Sequence, residues 1–177
     1  MGARPLRIAF FGLPLAALAL QRAGHHVVFV ALSRKGCVGV RRLRRALDAE
    51  VPFLVAPKVD PRLLERITGC APDLVISWFW PRKLPTELPR LAPLGAFGVH
   101  PSLLPRWRGA DPYFWAIDSG DPVTGVTAHR IEADYDTGAI LGQRSLAIDP
   151  RWDAWALARA LDRPSLELLL ETTARLA

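Results

Sequence analysis

The chain has 177 residues, 50% of them hydrophobic and 23% charged, with a formal net charge of +6. Such a composition builds one globular domain with a substantial core and excludes disordered and fibrous classes. The positive balance favours anionic partners such as phosphorylated sugars or RNA, while Cys37 and Cys70, with no CxxC pair and no clustered histidines, argue against a disulfide framework or zinc site and fit a reducing cytoplasm.

At the N-terminus Arg4 and Arg7, then the apolar run from Ile8 to Leu20, read superficially like a secretory leader. Phe11-Gly12-Leu13-Pro14 breaks that run where a strand should turn into a helix, and Gly24 ends the helix before a second apolar stretch. The expectation is therefore strand Arg7–Phe11, helix Leu15–Ala23 and strand Val27–Leu32, with no membrane span. Residues 33–39 read as a loop. Val40, Leu43 and Leu47 then recur at helical spacing among Arg41, Arg42, Arg44 and Arg45, so those arginines read first as a solvated helix face and second as a phosphate or tRNA contact. Phe53–Ala56 is a short strand. Asp60-Pro61 opens a helix carrying Leu63, Leu64 and Ile67, and Gly69 stops it.

Asp73–Trp80 is a nearly all-apolar central strand, of the kind buried on both faces of a parallel sheet. Ala96–Val99 is the next strand, Asp111-Pro112 opens a helix through Tyr113–Ile117, and Gly125–Ile131 and Ala139–Ile148 are late strands. Asp153–Leu161 and Ser165–Leu176 read as two helices separated by Pro164. Alternating strands and helices imply an α/β fold, a Rossmann-like doubly wound, mostly parallel sheet, with residues 1–177 as a single domain. The turn after the first strand has no G-x-G-x-x-G and no Walker lysine, which disfavours NAD and ATP. The carboxyl ends of the strands remain the expected site.

At one of those ends stands Gly98-Val99-His100-Pro101-Ser102-Leu103-Leu104-Pro105-Arg106-Trp107-Arg108-Gly109, and further along Tyr135-Asp136-Thr137-Gly138 puts a carboxylate on a tight loop. An imidazole and a carboxylate meeting at sheet ends can shuttle a proton during acyl-group transfer. Taken alone, His100 reads as a hydrogen-bonded structural histidine and Asp136-Thr137-Gly138 as an ordinary turn; the pairing of the two lifts both. His25 and His26 follow a helix C-terminus and read as structural. Trp152 and Trp155 read as packing a C-terminal helix onto the sheet.

The segment Gly95–Gly138 resembles the catalytic core of the folate-dependent formyltransferases, most closely the methionyl-tRNA formyltransferases, and the similarity extends over roughly residues 7–148. The resemblance implies formyl transfer from 10-formyltetrahydrofolate, as co-substrate in one-carbon metabolism, with no metal. It implies catalytic roles for His100 and Asp136, and puts Gly98 where the family has an asparagine. That asparagine is an oxyanion donor, and losing such a donor lowers rates by about a hundred- to a thousandfold, so reduced or altered activity is expected. It further implies that Ser102, Leu103, Leu104 and Pro105 line the folate pocket, that Trp78, Phe79 and Trp80 with the loop to Leu84 cup the pteridine, and that the Glu132–Asp136 segment, with Tyr135, closes the other side. Arg106 and Arg108 are candidates for an anionic substrate or the folate tail, and His129 for a second imidazole in the site. Trp78 and Trp80 read equally well as core.

The family's tRNA enzymes carry a C-terminal β-domain beyond the catalytic domain, which is not expected within 1–177. Its glycinamide ribonucleotide enzymes carry a phosphate loop that Phe11-Gly12-Leu13-Pro14 does not supply. The expected acceptor is a small primary amine in the cytoplasm, with tRNA disfavoured and no membrane partner. The alternatives are a formyl-folate hydrolase and a folate-binding module without turnover.

Overall fold

In a computed structural model, residues 4–177 are described. They fall into two compact units, residues 4–97 with 173–177 and residues 98–172. The strands follow the order β3-β2-β1-β4-β5-β6-β7 in one seven-stranded sheet.

In the first unit β1 (Arg7–Gly12), β2 (His26–Leu32), β3 (Phe53–Val55) and β4 (Leu74–Trp78) are parallel, β1 lying between β2 and β4. Ile8, Ala9, Phe10 and Phe11 are wholly buried, as a strand covered on both faces requires. Gly12 is obligatory there: its φ is +145°, and a Cβ would stand 1.8 Å from the Trp78 carbonyl oxygen on the paired strand. The run that imitates a leader thus forms β1 and α1 (Pro14–Arg22), with Pro14 in the first turn. Helix α2 (Val40–Ala46) buries Leu43, and α3 (Pro61–Gly69) is capped by Asp60, which accepts the Leu63 N–H at 3.0 Å.

The central strand is shorter than expected. β4 ends at Trp78 because Phe79 turns into the left-handed region at φ 53°, so Trp80 leaves the strand and the two indoles do not share a strand face.

Strand β5 (Ala96–His100) is buried throughout and runs into the second unit. That unit also contains α4 (Pro112–Asp118), β6 (Val123–Arg130), β7 (Ile140–Ala147) and most of α5 (Ala154–Leu176). β6 and β7 are antiparallel, and their register shifts between Ala128 and His129: Ala128 opposes Gly142, and His129 opposes Ile140. A shift of this kind is a β-bulge, which re-aims side chains beside it.

The two expected C-terminal helices are one, since α5 continues through Pro164. An interior proline costs about 3 kcal/mol. Leu157, Leu161, Leu168 and Leu169 are buried on both sides of it, and each contributes roughly 1.5–3 kcal/mol. The continuous apolar stripe outweighs the missing N–H. No helix among the described residues is long and apolar enough to cross a membrane.

Candidate active site

The histidine and the aspartate meet. His100 closes β5, and its Nδ1 lies 3.3 Å from Asp136 Oδ2. Asp136 sits on the loop after β6 in the left-handed region, φ 53°, which an aspartate tolerates better than a bulky residue. Gly138 lets that loop close, because a Cβ there would stand 2.0 Å from the Arg130 carbonyl oxygen at the end of β6.

A second imidazole completes the group. His129 Nε2 is 3.3 Å from Asp136 Oδ1, and its Nδ1 lies 2.9 Å from the Arg130 carbonyl oxygen. The Gly109 N–H donates to Asp136 Oδ2 at 2.8 Å. His100 Nε2 lies 2.7 Å from the Trp107 carbonyl oxygen, so it carries the hydrogen, and Nδ1 is the nitrogen left facing the carboxylate.

Burial dominates the titration of His100. It pulls the imidazole below the ordinary value of 6.5, against Asp136 and the Trp107 carbonyl, which raise it, while His129 lowers it further. Burial also works to raise the Asp136 carboxyl, yet the His129 hydrogen bond, the His100 charge and the Gly109 N–H together hold it below the ordinary carboxylate value. The centre therefore pairs an ionised carboxylate with a His100 that gives up its proton readily.

The segment after β5 is pinned from β6. The Thr127 hydroxyl, fully buried, donates to the Ser102 carbonyl oxygen at 2.7 Å and accepts the Leu104 N–H at 3.0 Å. Gln143 Nε2 donates to Thr127 Oγ1 at 2.9 Å and to the Leu104 carbonyl oxygen at 3.0 Å. Ser102 is itself buried and donates to the Arg106 carbonyl oxygen at 2.6 Å, so its hydroxyl serves the turn. Leu104 is buried, Leu103 half-buried and Pro105 exposed.

Among the remaining candidates, Gly98 lies buried within β5. Arg106, its side chain 57% exposed, makes a two-pronged pair with Asp121 at 2.8 and 2.6 Å. Arg108 and Tyr135 are exposed. In the first unit Trp78 is core, 2% exposed, and Leu84 is buried. Trp80 packs edge-on to Phe11 at 5.2 Å beneath the Arg82 guanidinium at 4.4 Å, and its buried Nε1–H has no acceptor among the described residues. A cavity of about 790 Å³ in that unit is lined by Gly39, Cys37, Arg41, Arg42 and Arg45, among others. No metal-ligating cluster is found among the described residues.

Trp107, Gly109, Asp121, Thr127 and Gln143 were not evident from the sequence. Each acts through a partner seven or more residues away in the chain, by a backbone group, a hydroxyl, an amide or a carboxylate, and no local pattern announces such a pairing.

A Rossmann-like α/β sheet with a histidine and an aspartate paired at a strand end can host group transfer that runs on proton-handling side chains. Residues 8–173 match the family model described as Formyl transferase, and the chain belongs to that family. It is 39% identical over 178 residues to a methionyl-tRNA formyltransferase of Anaeromyxobacter dehalogenans, covering 94% of this chain and 57% of the relative. It is 36% identical to one of Koribacter versatilis, covering 96% and 58%. The chain thus spans little more than half the length of these relatives. Among solved structures it is similar to glycinamide ribonucleotide transformylase 1 of Symbiobacterium toebii, with TM-score 0.83, 26% identity and 96% and 86% of the chains covered. In fold it also matches a phosphoribosylglycinamide formyltransferase of Bacillus halodurans, with TM-score 0.82, 24% identity and 96% and 94% covered.

Proposed function

We propose that this domain transfers the formyl group of 10-formyltetrahydrofolate to a primary amine, with His100 and Asp136 at the reaction centre. The observation that carries this reading is the 3.3 Å approach of His100 Nδ1 to an Asp136 carboxylate held ionised. The amine lone pair attacks the formyl carbon, the C=O becomes an oxyanion, and the folate N10–carbon bond then breaks. One proton must leave the amine and one must reach N10. Asp136 receives the first and returns it, with His100 Nδ1 as the relay. His129 holds the far oxygen of Asp136, so its role is to aim the carboxylate. Its two nitrogens are committed to Asp136 and to the Arg130 carbonyl, an arrangement that argues against its serving the oxyanion.

On the folate side, Ser102–Pro105 is a segment that Thr127 fixes from within the same unit. Tyr135, exposed in the same unit, stays assigned to the folate side.

A small amine acceptor is the first reading. The arginine-lined cavity, together with the names of the relatives, favours a second, in which the amine belongs to a charged tRNA and the arginines take phosphates. Incubation with 10-formyltetrahydrofolate alone, then with small amines, then with methionyl-tRNA, separates hydrolysis, small-molecule transfer and tRNA transfer. His100→Ala is expected to abolish turnover while folate binding stays within a few-fold. Loss of binding and turnover together would contradict the catalytic assignment.

A further inference from the structure

Arg106, Trp107 and Asp121 form a cluster that the reaction scheme above does not use. Trp107 has φ 56°, a left-handed conformation that costs a bulky side chain about 1–2 kcal/mol and persists only when its surroundings impose it. Asp121 does so. Its Oδ2 accepts the Trp107 indole N–H at 2.7 Å and Arg106 Nε at 2.8 Å, while Oδ1 accepts Arg106 Nη2 at 2.6 Å. The same guanidinium lies 4.4 Å from the centre of the Trp107 ring, and Trp115 stacks on that ring at 6.4 Å and 20°. The residue so clamped is the one whose carbonyl takes the His100 Nε2 hydrogen at 2.7 Å.

We infer that Asp121 is a positioning residue for His100: by holding Trp107 in its left-handed turn it aims the Trp107 carbonyl at Nε2, which fixes the imidazole tautomer and leaves Nδ1 facing Asp136. This rests on the reading of His100 as the proton relay. A mobile Trp107 would let the ring place its hydrogen on Nδ1 instead, toward the carboxylate, and the relay nitrogen would lose its lone pair.

Asp121→Asn keeps the size of the side chain but weakens the clamp. Nitrogen-15 resonances of His100 should show the Nε2–H tautomer in the unmodified protein and a mixture in the variant. The titration midpoint should also move to lower pH, since the carbonyl favours the protonated ring. The kcat should fall about tenfold, part of the hundred- to ten-thousandfold of a positioned acid–base group, with KM for 10-formyltetrahydrofolate within about twofold. Asp121→Glu should restore much of the loss, because it keeps the carboxylate. If Asp121→Asn does not fold, Trp107→Phe, which removes the indole N–H together with part of the stacked ring, carries the same expectation.

An unchanged His100 tautomer and midpoint in either folded variant would overturn the inference, as would an Nδ1–H tautomer in the unmodified protein. Absence of formyl turnover in the unmodified protein would instead undo the functional reading. The histidine resonances would still decide the role of Asp121.

Discussion

Gly98 stands two residues before His100, where the family resemblance calls for an asparagine, and it lies in a strand buried at every position. His100 has one nitrogen on Trp107 and the other toward Asp136, and His129 is similarly engaged. Under the proposed function the imidazoles would handle protons, and an oxyanion donor is what an asparagine at 98 would add. Gly98→Asn should raise the rate of formyl transfer by about tenfold or more, within the range associated with one such donor. Rates in the variant that match or fall below the parent would mean the site has been rebuilt around glycine. His100, Asp136 and the gap at Gly98 were legible because one long motif carries them. The direction of the His100 titration was not, because burial, which residue identity does not report, outweighs the neighbouring carboxylate.

At the scale of elements, a single threonine of β6 organises the segment that follows β5. The Thr127 hydroxyl is the partner of the Leu104 N–H and the Ser102 carbonyl. Thr127→Val preserves shape but strands both, at about 1–3 kcal/mol for each buried group left unpaired. Thermal unfolding should come several degrees earlier, and KM for 10-formyltetrahydrofolate should rise while kcat changes less. A variant with unaltered KM would separate this segment from the folate. Apolar runs and punctuation by Gly and Pro made the strands and most helices readable. The end of β4 and the continuity of α5 escaped for opposite reasons. A non-glycine residue took a left-handed turn at Phe79 without a sequence signal, and at Pro164 a tertiary stripe of leucines overrode a strong local one.

For the whole molecule, two buried histidines set the acid limit of stability. His25 and His100 are both depressed below the ordinary 6.5, chiefly by burial, and His25 Nδ1 must stay neutral to accept the Leu6 N–H at 3.3 Å. The unfolded chain therefore binds protons that the native one resists. Stability is full above the ordinary histidine value and declines as pH falls from there through the depressed native values. Asp136 adds a second loss in stronger acid, since its depressed carboxyl stabilises the native state only while ionised. Unfolding temperatures at pH 7.5 should exceed those at pH 5.5 by a few degrees, and His25→Gln should flatten that slope; equal values at the two pHs would contradict it. Composition announced a globular, cationic chain but not which of its histidines the core would swallow.

The shifted register between Ala128 and His129 has a price in regularity and a return in geometry. Side chains alternate along a strand, so forcing an unbroken register through that point with β7 at its present length would turn everything on one side of it over. Gln143 would then face away from Thr127, or Ile140 would lose its place opposite His129. The tidier ladder would be the better sheet but would no longer seat Gln143 against Thr127 and Ile140 against His129 together, which makes this irregularity something a designer should copy before any of the strands around it.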